Sequence, residues 1–246
     1  MRTRLMTLNS WPLWGMCLAF AVTLEVVAGP QVSIIPRNGP SSKVSVPATD
    51  FQVSRVLDIT LSGTIHAQKP VYLTGTGVMR KPILFLFPVT AYIASHYLSD
   101  SKAAIPSEWE STFRLSDLRV LSLRFLRDIS LDKMRDGFQD ALRVNHLNPK
   151  SDRYRKVFSS FTENFSQGDI LYLVGYCPRP QESKGSANSE DHVYFVLRHG
   201  KKVTLVEDTG VGLASDYWKI WFGVPAHEGL KNLKSLLLSL LPQTVE

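Results

Sequence analysis

The sequence predicts an α+β domain: an antiparallel β-sheet packed on one face by a layer of α-helices. The order of elements is the first reason. Strand segments come in a block, then helices, then strands, then helices, where singly alternating elements would have meant a parallel sheet. Apolar periodicity is the second. It runs at two in the strand segments and at three and four in the helical ones. With 246 residues, 44% of them hydrophobic, the chain can bury a full core without disulfide staples. No internal repeat is visible, and the length suits one domain behind a leader. The expected boundaries are a signal peptide over 1–28, a flexible arm over 29–50 and a single domain over 51–246.

Arg2 and Arg4 make a basic start, Leu13 to Leu24 is mostly apolar, and Val26-Val27-Ala28 is a small-residue cleavage pattern. The apolar run is short for a membrane span and Glu25 interrupts its end. The reading is therefore a cleaved leader and a periplasmic or secreted protein without a stable membrane span, against an uncleaved anchor. Cys17 leaves with the leader and Cys177 then stands alone, which excludes an internal disulfide. The net charge of +6 falls to +5 beyond Ala28 and is scattered, with no run of five basic residues. Nucleic acid is excluded as a partner on that ground.

Residues 30–50, rich in Pro, Ser and Gly, read as a tether or irregular arm. Strands are expected at about 51–61 and 64–73, joined by a Ser62-Gly63 turn. Gly75-Thr76-Gly77 reads as a turn, since a third glycine for a dinucleotide fingerprint is missing. Ile83 to Phe87, bordered by Pro82 and Pro88, reads as a strand buried on both faces. Ala91 to Leu98 fits strand or helix; as a strand it puts Tyr92 and Tyr97 on opposite faces. Leu118 to Ile129 alternates, with Leu121, Leu123 and Phe125 opposite Arg124. Ser130 caps a helix to about Leu147, with Asp132 in its first turn. A second helix from Ser151 carries an aromatic stripe, Tyr154, Phe158, Phe161 and Phe165, which reads as core. Asp169 to Cys177 is a strand, and His192–His199 with Lys202–Val206 a hairpin around Gly200. A short helix over 216–222 and a Leu-rich one over about 228–241 close the chain.

The chain lacks GxSxG, HExxH, CxxC and P-loop patterns. Cys177, His192 and His199 do not have metal-ligand spacing, so neither metal nor cofactor is expected. Asp128 and Asp169 fit strand ends and caps better than a catalytic pair. What remains is a polar set on an apolar background: Arg80, Tyr92, Tyr97, Arg124 and Tyr154. Such a set suits a pocket for an amphipathic small molecule, with Arg80 meeting a carboxylate or oxyanion. The alternative leaves Arg80 in water and the tyrosines in the core with their hydroxyls at its rim.

Four segments resemble the chalcone isomerase family, in particular its bacterial chalcone isomerase-like members. They are GTGVMRKPILFLFPVTAYIASHYL, LRFLRDISLDKMRDGF, RYRKVFSSFTENFSQGDILYL and DYWKIWFGVPAHEGLKNLKSLLL, spread in the family's order over most of residues 70–241. The resemblance implies an antiparallel sheet backed by helices, with a ligand cleft between them. In the family's enzymes an Arg, a Thr, a Tyr, an Asn and a late Thr or Ser stabilise a phenolate as a chalcone closes to a flavanone. Its fatty-acid-binding members keep the Arg and use a Tyr to hold a carboxylate. Arg80 matches the Arg and Tyr97 the Tyr that follows. Tyr92 stands at the Thr, Ser160 or Phe161 at the Asn, and Ile220 at the late Thr or Ser. Tyr154 takes the cleft Tyr, with Arg153 competing for that register. Oxyanion donors are worth on the order of 3 kcal/mol each, so losing several implies no efficient cyclisation. The resemblance thus implies a non-catalytic holder of a fatty acid or similar carboxylate, with Arg80, Tyr92, Tyr97 and Tyr154 as ligand-binding residues. The competing readings are an intramolecular lyase of the chalcone isomerase type and an interaction protein with a collapsed cleft.

Overall fold

The computed structural model describes residues 30–46, 49–63, 65–83, 87–100, 109–110, 113, 116–178 and 190–240. The signal peptide expected over 1–28 lies outside them. In chain order the strands are β1 (Gln31–Pro36), β2 (Ser41–Val46), β3 (Thr49–Ser54), β4 (Val56–Ser62), β5 (Ala67–Ile83), β6 (Phe87–Leu98), β7 (Leu118–Phe125), β8 (Ile170–Tyr176), β9 (Asp191–His199) and β10 (Lys202–Gly210). The helices are α1 (Leu131–Val144), α2 (Asp152–Ser160), α3 (Leu213–Phe222) and α4 (Glu228–Leu237). Eight strands form one sheet in the order β1-β4-β5-β6-β7-β8-β9-β10, each pair antiparallel, while β2 and β3 make a separate hairpin. The fold is α+β.

The strands bury alternate residues on the two faces of this sheet. Leu121, Leu123 and Phe125 of β7 face the helices and pack with Trp218, Trp221 and Leu233. Leu118 and Val120 join a second core on the other face with Val32, Ile34, Val174 and Val196. Residues of β1 share that core with β8 and β9 although four strands separate β1 from β8 in the sheet order. The sheet is therefore strongly coiled, as accumulated right-handed twist requires when an eight-stranded sheet covers its own face.

Three expectations are corrected. The segment read as a flexible arm is built into the fold: β1 pairs with β4, and Val32 and Ile34 are buried. Its alternating Val and Ile outweigh the Pro and Ser around them. Gly75-Thr76-Gly77 is no turn but lies inside β5, where the glycines admit α4. Ile83 to Phe87 is not one strand, because Ile83 pairs with Phe87 and Pro82 with Pro88. The two prolines sit at the end of a hairpin ladder, where a missing N–H donor costs least.

Several expected signals do operate locally. Ser130 caps α1 and its hydroxyl accepts from the Lys133 N–H at 3.4 Å. Phe161 and Phe165 are buried as core, but α2 ends at Ser160, and Phe165 instead bridges Ile129 through backbone hydrogen bonds of 2.8 and 3.0 Å. Beyond α1, Asn145 ties two helix ends together. Its amide donates to the carbonyls of Ala141, Lys219 and Val224, and its oxygen accepts from the Val224 N–H at 2.7 Å. Replacing it leaves several half-buried backbone groups unpaired, so Asn145→Ala is expected to cost about 2 kcal/mol in urea unfolding.

Candidate ligand cleft

Between β5, β6 and the helix layer lies a cavity of about 400 Å³. Its floor comes from the sheet: Met79, Val89, Ala91 and Tyr92. Strand geometry explains why both Ala91 and Tyr92 reach it. Met79 pairs with Tyr92 but Arg80 pairs with Thr90, so Ala91 is an extra residue in β6, a bulge. The Ala91 carbonyl instead accepts from the Leu126 N–H at 3.0 Å. The roof is Met134, Gly137 and Phe138 of α1, with Ile220 of α3 and Leu230 of α4 closing the inner end.

Tyr92 is the polar group of the floor. It is buried, and its hydroxyl accepts from the Trp221 indole N–H at 3.3 Å. Burial pushes its pKa up to about 12, so it stays neutral and can donate a proton in a hydrogen bond to a ligand. The rim differs in character. Arg127, Asp128, Ser130 and Lys133 line it, and Arg127, Asp128 and Lys133 are exposed. Asp128 is occupied in holding the loop, since its carboxylate accepts from the Gln167 N–H at 2.8 Å. Gly137 stands in the middle of α1, where glycine weakens a helix, and a Cβ there would meet nothing within 4 Å. The missing side chain opens the roof.

The five polar residues singled out in the sequence are not brought together. Tyr92 lines the cleft. Arg80 is exposed, one residue from the cleft-lining Met79, and strand alternation sends it to the opposite face. Tyr97 is on the other side of the sheet from Tyr92, as odd spacing on one strand requires, and its hydroxyl donates to the Ser54 carbonyl at 3.1 Å. Arg124 is on that side too, with its guanidinium 5.9 Å from the Phe51 ring. Tyr154 is buried between α2 and α3 and donates to Asp216 at 3.1 Å, an acceptor it shares with Arg153 at 2.7 Å. Burial and the Asp216 charge push its hydroxyl up to about 12. Ile220, at the family's late Thr or Ser, does line the cleft.

Arg127, Lys133 and Gly137 were not singled out as site residues. Gly137 carried the one usable signal, a glycine interrupting an otherwise strong helical segment. The Cys177, His192 and His199 side chains have separate partners. Cys177 accepts from Arg119 at 2.7 Å, His192 meets Glu207 at 3.1 Å and His199 meets Asp169 at 2.8 Å. Among the described residues no group of three His, Cys, Asp or Glu side chains is placed to hold a metal ion, and no helix is long and apolar enough to cross a membrane.

No protein-family model matches the chain, and no curated protein matches it. Among solved structures it is similar to the crystal structure of an Arabidopsis thaliana fatty-acid binding protein. The TM-score is 0.49 and the identity 15%, over 80% of this chain and 99% of that one.

Proposed function

We propose that this chain is an exported, non-enzymatic protein of the chalcone isomerase-like kind, periplasmic or secreted, that holds a small amphipathic anion such as a fatty acid. The observation that carries this reading is the cleft itself. It is a cavity of about 400 Å³ with an apolar floor and roof, one neutral hydroxyl at Tyr92 and two cationic side chains at its mouth. An alkyl chain fits between Met79, Met134, Phe138 and Leu230, and the anionic end meets Arg127 and Lys133. Ile220 and the buried Trp221–Tyr92 bond leave the interior poor in groups that could stabilise a developing phenolate, which disfavours cyclisation.

Calorimetric titration with dodecanoate tests the reading. Gly137→Leu, which puts a side chain into the cleft from a surface-exposed helix position, is expected to weaken binding at this site at least tenfold while leaving the fold intact. Unchanged binding in that variant overturns the proposal. Alanine variants of Arg80, Arg127 and Lys133 separate the two sources of the anchor: the sequence resemblance puts it at Arg80 and the cleft rim at Arg127 and Lys133.

A further inference from the structure

We infer that the face of the sheet opposite the helices holds a site for a neutral sugar, built on a row of hydroxyl groups. A cavity of about 410 Å³ lies there, between the sheet and the β2–β3 hairpin. Strand pairing sets out the row. Thr76 of β5 is opposite Ser95 of β6, Ser95 is opposite Ser122 of β7, and Ser122 is opposite Tyr172 of β8. Directly paired residues share a face, so four consecutive strands present hydroxyls side by side, with about 4.8 Å from strand to strand. The rows on either side differ in kind. Tyr97, Val120 and Val174 form one, within the core, and Ile93, Arg124 and Ile170 form the other.

The fold uses only part of this row. The Thr76 hydroxyl donates to the Ala94 carbonyl at 2.9 Å, so the Ser95 hydroxyl, 3.0 Å away, donates to Thr76 and keeps acceptor capacity of its own. Ser95 is buried, and with Ser122 and Tyr172 it lines the cavity. Among the described residues the Ser122 and Tyr172 hydroxyls have no hydrogen-bond partner, and each can both donate and accept. Burial raises the pKa of Tyr172 against the opposing charges of Arg124 and Arg198, so its proton stays in place. A ligand hydroxyl has the same double capacity, and a ligand with several of them can meet several of these groups at once. The cations at the cavity do not call for an anion. Arg37 pairs with Asp58, and Arg124 is exposed, with its guanidinium over the Phe51 ring. Phe51, Val53 and Leu57 supply an apolar wall, against which the C–H face of a sugar ring can pack. Water would serve isolated hydroxyls; three aligned beside an aromatic wall, in a cavity of ligand size, select a hydroxylated ring.

The site is separate from the helix-side cleft, and so is its test. Glucose, galactose, mannose and maltose, with cyclohexanol as a ring carrying a single hydroxyl, are titrated to about 20 mM into isotope-labelled protein and followed by NMR. At least one sugar is expected to give saturating shifts at Ser95, Ser122 and Tyr172, and cyclohexanol to bind more weakly. Ser122→Ala and Tyr172→Phe should each weaken that sugar about three- to tenfold, the effect of one neutral hydrogen bond. Because neither hydroxyl serves the fold, both variants should keep the wild-type midpoint in urea. Gly137→Leu, which fills only the cleft, should bind the sugar as the wild type does. Four sugars without saturating shifts in this row, cyclohexanol binding as tightly as the best sugar, or wild-type affinity in both hydroxyl variants overturns the inference. So does a clear fall in the urea midpoint of Tyr172→Phe, which would assign its hydroxyl to the fold.

Discussion

Gly75→Ala is expected to unfold the protein or to cost at least about 4 kcal/mol, the upper range for single substitutions. A Cβ at position 75 would stand 2.1 Å from the Leu236 carbonyl oxygen and 2.4 Å from the Leu237 carbonyl carbon. Those atoms are backbone at the end of α4, so no rotamer change relieves the overlap. The helix would have to retreat by about 1 Å or more to restore ordinary contact distance. That retreat would break the bond from the Thr74 hydroxyl to the Leu237 carbonyl at 2.9 Å, and the Leu240 N–H bond to the Thr74 carbonyl at 2.8 Å. It would also lift Leu233 and Leu237 out of the helix-side core. Gly77→Ala should be milder, since its new Cβ would meet side-chain atoms of Leu236 and Leu233 at 2.8 and 2.9 Å, which can move. The check is urea denaturation of the three proteins in parallel. A Gly75→Ala protein as stable as the wild type would mean that α4 does not sit on β5 at this distance.

The same glycines mark the limit of what could be read from the sequence. Periodicity located β7, α1, β8 and the β9–β10 hairpin because each carries a strong local signal: alternation, a Ser cap with an acidic first turn, or Gly200 at a positive φ of 56° between two strands. It did not locate β1, whose burial depends on a face presented by strands more than a hundred residues later. Nor could it tell a glycine at a turn from a glycine under a helix, since both break a strand pattern equally. The cleft was legible in outline only. Tyr92 and Ile220 belong to it, but one bulge at Ala91 decides which β6 residues reach the floor. Arg80 and Arg124 looked alike in sequence, as isolated cations beside apolar runs. Both are exposed, Arg80 next to the cleft and Arg124 on the other face, in a row with a second arginine that only the β8 pairing reveals.

His96→Leu is expected to cost about 3 kcal/mol at pH 7 and to flatten the pH dependence of stability between pH 7 and 5. His96 is fully buried at the centre of a polar chain that joins the sheet to two helices. The Trp218 indole N–H donates to its Nε2 at 3.1 Å. An indole can only donate, so Nε2 accepts and Nδ1 carries the proton, which it gives to the Thr74 hydroxyl at 2.6 Å. That hydroxyl in turn donates to the Leu237 carbonyl of α4. A leucine would leave the buried indole N–H unpaired, the expensive half of losing a hydrogen bond. Burial holds the imidazole pKa well below its usual value, and the Arg119 charge adds to this. A histidine with a depressed folded-state pKa gives full stability above about pH 6.5. Below it the unfolded chain takes up a proton that the folded chain refuses. Stability therefore falls with acid by up to about 1.4 kcal/mol per pH unit. His199 works in the opposite sense. Its hydrogen bond to Asp169 raises its pKa, so its contribution is present below about pH 6.5 and is lost as pH rises through the folded value. The His199→Gln protein should thus lose stability more steeply with acid than the wild type, and adding His96→Leu should remove most of that slope. Parallel slopes with and without His96 would mean that the imidazole takes up its proton inside the fold, and that the chain from Trp218 to Leu237 does not hold it neutral.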